Sequence, residues 1–289
     1  MTAAPGTRQF RVGLLGHGIG PSLTPAMHVR EAERLGLPYE YEILDLIDEP
    51  DVDLGAQLTR LEKAGFDATN VTHPFKQDVL QHVDEASDEV RRIGAANLVL
   101  LSGGRRVAHN TDYAGFRAGL EEFLGDRPRG TVLQVGAGGA GLATACALLD
   151  LGFDEVVVHD RSEAATQRLV DRFADGTGRI RSSEGDLDGR LAQAEGVVHV
   201  TPVGMREHPG VALDVSLLAA DAWLAEVVYR PLETELVRQA RARGLATLDG
   251  GAMAVGQAVE SIRLITGLEP DAARMHEHFD HLVAGGDAG

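Results

Sequence analysis

The sequence has little of three things: cysteine, positive charge and long apolar runs. Its one cysteine, Cys146, excludes an intrachain disulfide. It sits in the run GLATACALLDL and reads as a small buried hydrophobe; a reducing, cytoplasmic location fits. Lys and Arg total 27 against 44 Asp and Glu, a formal charge of −17 over 289 residues. Phosphate backbones are bound through a basic footprint, so this balance argues against nucleic acid as a partner. An anionic ligand would be repelled at long range, and its site must supply local positive charge or donors. The acidity serves equally as a solubility feature. No stretch approaches the roughly 18 apolar residues of a membrane span. The opening MTAAPGTRQF lacks the apolar h-region of a secretory signal. No histidines fall at a metal-ligand spacing such as H-E-x-x-H, so no metal is expected.

What the sequence does have is alternation. FRVGLLG precedes a helical pattern near 25–36, YEYEILDL another near 54–64, and FDATNVT a third from Pro74. AANLVLL and RRVAHN read as short strands. A second series starts at TVLQVG and runs through EVVVHD, GVVHVT, AWLAEVVY and ATLDG with helices between, and two helices close the chain. Such alternation predicts an α/β fold with mostly parallel sheets covered by helices. GDRPRG, at 125–130, is the best linker candidate.

TVLQVGAGGAGLATACALL carries the strongest single motif. A strand runs into Gly136-Ala137-Gly138-Gly139-Ala140-Gly141 and then a small-residue helix, the context that the G-x-G-x-x-G fingerprint requires. The first glycine allows a tight turn, the second lets backbone approach a pyrophosphate, and the third packs helix on strand. Helix N–H groups and the macrodipole then receive the phosphates. Asp160 closes EVVVHD 19 residues past Gly141, where an acid is expected about 20 residues on. It can bind ribose hydroxyls and would repel a 2′-phosphate, so NAD is favoured over NADP. The adjacent Arg161 pulls the other way, since it could accept a 2′-phosphate.

The first hundred residues must supply most of the substrate site. In GHGIGPSLTPAMH, Thr24-Pro25 reads as an N-cap followed by proline at N1, while Ser22 has no structural role in view. In NVTHPFKQ, Pro74 suits N1 of a helix and puts Lys76 at N3, beside the positive end of its dipole. In HNTDYAGF, Asp112 reads either as the N-cap of the next helix or as a functional carboxylate.

NVTHPFK, GAANL, HNTDYAGF, the GAGGAG loop, TPVGM, VVYRPLET and LDGGAMAVGQA occur in the order seen in the shikimate dehydrogenase family, which the chain resembles from about residue 10 to 280. Ser22-x-Thr24, Thr72-His73-Pro74 and Asp160 look most like the NAD-using quinate/shikimate dehydrogenase branch. The resemblance implies reversible oxidation of a ring hydroxyl, with Lys76 as acid/base group and Asp112 as its partner. It implies that Ser22 and Thr24 hold the substrate carboxylate, and that Thr72, Asn97, Gln257 and Tyr229 contact the substrate. Gly136, Ala137, Gly138, Gly139 and Ala140 would line the pyrophosphate, Asp160 and Arg161 the adenosine ribose, and Thr201, Pro202, Val203 and Met205 the nicotinamide.

The implied architecture is two domains: a substrate-binding α/β domain of 1–112 completed by 251–289, and a Rossmann-type doubly wound NAD-binding domain of 113–250. A monomer or homodimer is expected. Two positions depart from the pattern: Leu98 stands where the family has threonine, and His199 where it has asparagine. A relative acting on an amino analogue of the same ring, or a non-catalytic NAD-binding regulator, are the alternative readings. A helix start would make Lys76 easier to deprotonate and a nearby Asp112 harder, and the sequence leaves that balance open.

Overall fold

The computed structural model describes residues 8–49 and 51–285. The chain divides into two compact units, one running to Thr111 and resuming at Gln257, the other Asp112–Gly256. Sequence reading put these joints after 112 and after 250.

The first unit contains β1 (Phe10–Gly16), α1 (Thr24–Arg34), β2 (Tyr39–Asp45), α2 (Leu54–Lys63), β3 (Ala68–Val71), β4 (Glu85–Ala86), α3 (Asp88–Ile93), β5 (Leu98–Ser102) and β6 (Arg105–His109). Its six-stranded sheet has the order β2-β1-β3-β5-β6-β4. β5 runs antiparallel to both its neighbours, and the other pairings are parallel. Local chemistry explains the helices. Asp53 caps α2 by accepting the Ala56 N–H at 2.9 Å, and Leu54, Leu58 and Leu61 then bury one face of it. Gly94, in the left-handed region, ends α3. Leu58 and Leu61 pack with Leu15, Val71, Val79 and Val99 in one core cluster.

The second unit begins within α4 (Thr111–Leu124) and continues through β7 (Thr131–Val135), α5 (Gly139–Asp150), β8 (Glu155–His159), α6 (Glu163–Phe173), β9 (Ile180–Ser182), α7 (Leu187–Leu191), β10 (Gly196–His199), β11 (Trp223–Glu226), α8 (Glu235–Ala242) and β12 (Ala246–Leu248). α9 (Gly251–Thr266) starts in it and ends in the first unit, which α10 (Ala272–Val283) completes. Its sheet is wholly parallel, in the order β12-β11-β10-β7-β8-β9. Numbered from β7, that is the 3-2-1-4-5-6 order of doubly wound dinucleotide-binding folds. The strands read as near-continuous apolar runs because both faces are covered. Residues 141–148 of α5 are all buried, which accounts for its small-residue composition.

One expected element does not form as read. No α-helix starts at Pro74; residues 74–77 are turn, and a short 3-10 helix follows at Asp78–His82. An α-helix would bond the Lys76 carbonyl to the Leu80 N–H. Instead that carbonyl accepts the Ala96 N–H at 2.7 Å, and the Leu80 N–H goes to the Gln77 carbonyl at 3.2 Å. Lys76 is therefore outside any helix, and the dipole argument for it falls.

The first unit also holds a well-shaped ion pair. Arg106 donates through Nε to Glu62 Oε1 at 2.9 Å and through a terminal nitrogen to Oε2 at 2.8 Å. It also reaches the His82 carbonyl and Thr59 Oγ1. The guanidinium holds the Glu62 carboxyl below its ordinary value of 4.5. The stabilisation is therefore complete above that value and fades as pH falls through the lower folded-state value. Urea unfolding of Glu62→Gln at pH 7 is expected to show a loss of ~1 kcal/mol. Wild type and variant should converge as the pH is taken well below 4.5; a gap that persists in acid would rule out the charge as its source.

Candidate active site

In the second unit the chemistry gathers where β7 ends. Gly136 turns the chain with φ +122°, and a Cβ there would lie 2.6 Å from the Val200 carbonyl oxygen. A Cβ on Gly141 would lie 2.6 Å from the Gly136 carbonyl oxygen, so helix and strand approach through backbone alone. At Gly138 nothing lies within 4 Å of a Cβ position. Gly138 is also the N-cap of α5 and offers no side-chain cap, so the first N–H groups of α5 are left for an anion. These features fit a dinucleotide pyrophosphate. Gln134, fully buried in β7, holds the loop: its Nε2 donates to the Gly136 and Gly141 carbonyls, both at 2.9 Å, and its Oε1 accepts the Thr144 hydroxyl at 2.8 Å. The signal for Gln134 was one polar residue inside TVLQV.

Asp160 follows β8. Its Oδ2 accepts the Ala137 N–H at 2.9 Å and its Oδ1 the Ser162 N–H at 2.8 Å. The carboxylate therefore lies against the glycine loop and keeps lone pairs for ribose hydroxyls. Arg161 is exposed, while Gly139 and Ala140 are half-buried in the first turn of α5. After β10, Thr201, Val203 and Met205 are half-buried and Pro202 exposed. Thr201 Oγ1 accepts the Val203 N–H at 3.2 Å and meets His199 Nε2 at 2.6 Å. The loops after β7 and β10 flank the point where strand order reverses, the place where open α/β sheets bind ligands. Tyr229, half-buried after β11, belongs to this unit.

In the first unit, α1 begins at Thr24 with Leu23 as its cap residue and no side-chain cap. Thr24 is thus inside the helix, not its N-cap. Ser22 has a local role after all, since its Oγ accepts the Thr24 N–H at 3.3 Å. Thr72, half-buried, follows β3 and donates its N–H to the Leu15 carbonyl at 2.9 Å. His73 is exposed and precedes a cis peptide bond, and Lys76 is half-buried. Asn97 is buried: its Oδ1 accepts the Thr111 N–H at 2.7 Å and its Nδ2 donates to Thr111 Oγ1 at 2.9 Å. One amide hydrogen of Asn97 remains beyond these bonds. Asp112 is buried in the first turn of α4 and is not its N-cap; Asn97 takes the first N–H instead. Gln257 is half-buried on α9. Sequence reasoning passed over His17, after β1, whose Nε2 is buried with no hydrogen-bond partner among the described residues.

A family model for the shikimate dehydrogenase substrate binding domain matches residues 14–99. A shikimate dehydrogenase (NADP(+)) from Arthrobacter sp. is 47% identical over 281 residues, covering 95% of this chain and 96% of its own. The chain belongs to the shikimate dehydrogenase family. Also within the family, a quinate/shikimate dehydrogenase (NAD(+)) from Corynebacterium glutamicum is 43% identical, covering 93% of this chain and 97% of its own. The solved quinate dehydrogenase from Corynebacterium glutamicum in complex with NAD is 42% identical, with a TM-score of 0.86 over 93% of this chain and 98% of that one. No helix among the described residues is long and apolar enough to cross a membrane. No group of three or more His, Cys, Asp or Glu among them could hold a metal ion.

Gly138 offers a test of the pyrophosphate cradle. A methyl group there meets nothing in the ligand-free protein, so Gly138→Ala should melt with wild type. The same methyl would stand where a phosphate approaches, and dinucleotide affinity measured by calorimetry should fall about tenfold or more. Unchanged affinity would place the phosphates elsewhere.

Proposed function

We propose that the protein is an NAD-dependent quinate/shikimate dehydrogenase. It would oxidise one ring hydroxyl of quinate or shikimate reversibly, giving 3-dehydroquinate or 3-dehydroshikimate. Family membership supports the reaction class. The relatives named above include both NADP(+) and NAD(+) enzymes, so the cofactor must be argued from this chain's own residues. The observation that carries NAD is the Asp160 carboxylate, bonded to the glycine loop through Ala137. It puts a negative charge and free lone pairs where a ribose would lie, and a 2′-phosphate would be repelled there.

The dinucleotide supplies the two-electron acceptor. The rest is the work of side chains. In oxidation, Lys76 as neutral amine takes the hydroxyl proton while the hydride leaves the same carbon. In reduction its ammonium returns that proton to the carbonyl oxygen. Asp112 is the carboxylate partner that orients the lysine and shares its proton exchange. Ser22 and Thr24 supply hydroxyl donors to the substrate carboxylate, which a chain of net charge −17 must hold by local donors rather than by its overall field. Thr72, Asn97, Gln257 and Tyr229 serve the ring hydroxyls. The first unit is the substrate-binding half; the second binds the dinucleotide through Gly136, Ala137, Gly138, Gly139 and Ala140, with Thr201, Pro202, Val203 and Met205 at the nicotinamide.

A steady-state matrix of quinate and shikimate against NAD and NADP tests both halves of this reading. The expected result is turnover of both acids with kcat/KM higher for NAD; a clear NADP preference overturns the role given to Asp160. Lys76→Ala should lower kcat by about 10²–10⁴-fold with a much smaller change in KM. A pH–rate profile unaltered by that substitution would exclude Lys76 as the acid/base group.

A further inference from the structure

One cluster in the second unit is not used by the mechanism above. His199 ends β10, Glu226 ends β11 and Thr234 caps α8; their exposures are 0%, 2% and 0%. Three buried polar side chains at adjoining strand ends are costly unless each is bonded, and here each is. His199 Nδ1 lies 2.8 Å from Glu226 Oε1, which also accepts the Val228 N–H at 3.0 Å. Glu226 Oε2 accepts the Thr234 hydroxyl at 3.2 Å, and Thr234 Oγ1 accepts the Val237 N–H of α8 at 3.2 Å. On the other side of the ring, His199 Nε2 lies 2.6 Å from Thr201 Oγ1.

With Glu226 ionised and the His199 ring neutral, counting hydrogens along this chain gives each donor. An ionised carboxylate only accepts, so Nδ1 of His199 carries the hydrogen that Glu226 receives. In the neutral ring Nε2 is then an acceptor and takes the Thr201 hydroxyl hydrogen. Thr201 Oγ1 also receives the Val203 N–H at 3.2 Å. Its own hydrogen is committed inward and one lone pair is filled, which leaves one lone pair over. Thr201 is thus set as an acceptor for a ligand N–H or O–H. Its loop follows β10 at the reversal of strand order, where the glycine loop after β7 also lies.

We propose that Glu226 and His199 are positioning residues that lock the Thr201 hydroxyl as an acceptor for the carboxamide NH₂ of the nicotinamide. The proposal rests on the reading that this unit binds a nicotinamide dinucleotide. It gives a use to the position where histidine stands in place of the family's asparagine.

The test is equilibrium binding without substrate, using NAD, its 3-acetylpyridine analogue and ADP-ribose. The analogue replaces the carboxamide NH₂ by methyl, and ADP-ribose lacks the ring altogether. Wild type should bind NAD about tenfold more tightly than the analogue, the worth of one hydrogen bond. Thr201→Ser should keep that preference. Thr201→Val and His199→Asn should bring it within about twofold while ADP-ribose affinity stays at the wild-type value. A Thr201→Val protein that still prefers NAD as strongly as wild type overturns the proposal and leaves the dinucleotide reading intact. Failure of wild type to bind either NAD or ADP-ribose overturns both. Should His199→Asn not fold, ¹⁵N spectra of the histidine rings in wild type decide independently. The His199 ring is expected with Nδ1 protonated and Nε2 bare, and the opposite tautomer overturns the assignment.

Discussion

A strand that runs parallel to its neighbours delivers its last carbonyl, and the loop behind it, to the same edge of the sheet as theirs. In the second unit all strands obey this constraint, so the loops holding Gly136, Asp160, Thr201 and Tyr229 leave one edge. In the first unit the same constraint gathers Ser22, Thr72 and Lys76 behind β1 and β3. β5 is the exception that fits: being antiparallel to β3, it brings its first residues to that edge, and Asn97 immediately precedes it. β6 turns back antiparallel to β5, which returns Asn110 and Thr111 to the same place. The polar groups are there because strand ends leave backbone donors and acceptors without ladder partners. Residues such as Asn97 meet that need and retain donor capacity for a ligand.

The broad patterns carried by neighbours in sequence were legible from the sequence. The glycine loop, the acid at 160 and the α/β alternation are local patterns, and each stands where it was read. At Lys76 and Asp112 a distant partner decided the backbone. Lys76 was read into a helix because Pro74 precedes it, but its carbonyl is claimed by Ala96. Of the two readings of Asp112, cap or functional carboxylate, the cap falls, because the first N–H of α4 is taken by the side chain of Asn97. Thr24 was displaced from the cap by one residue, which gave Ser22 a bond that the sequence did not suggest. Gln134 drew no reading, because both carbonyls it holds lie beyond its strand.

The same long-range logic explains why a departure from a family pattern need not be neutral. His199 alone reads as a loss, the family's asparagine missing from the end of β10. Beside Glu226, it becomes the centre of a chain from the cap of α8 to the Thr201 hydroxyl. A histidine has two ring nitrogens some distance apart, so it can join two partners that one short amide would not span. The carboxylate facing it also matters, because it determines which ring nitrogen carries the hydrogen.

Asp160 ties the end of β8 to the glycine loop and to the start of α6. One oxygen receives the Ala137 N–H inside the glycine loop, and the other the Ser162 N–H just before α6. Ser162 in turn caps α6 through the Ala165 N–H. A side chain without acceptors at 160 would release two backbone donors together with the charge, whereas a neutral asparagine would keep an acceptor for one of them. Loss of the bond to the Ala137 N–H would loosen the glycine loop. A substitution at 160 therefore acts on the glycine loop and on the charge beside it together.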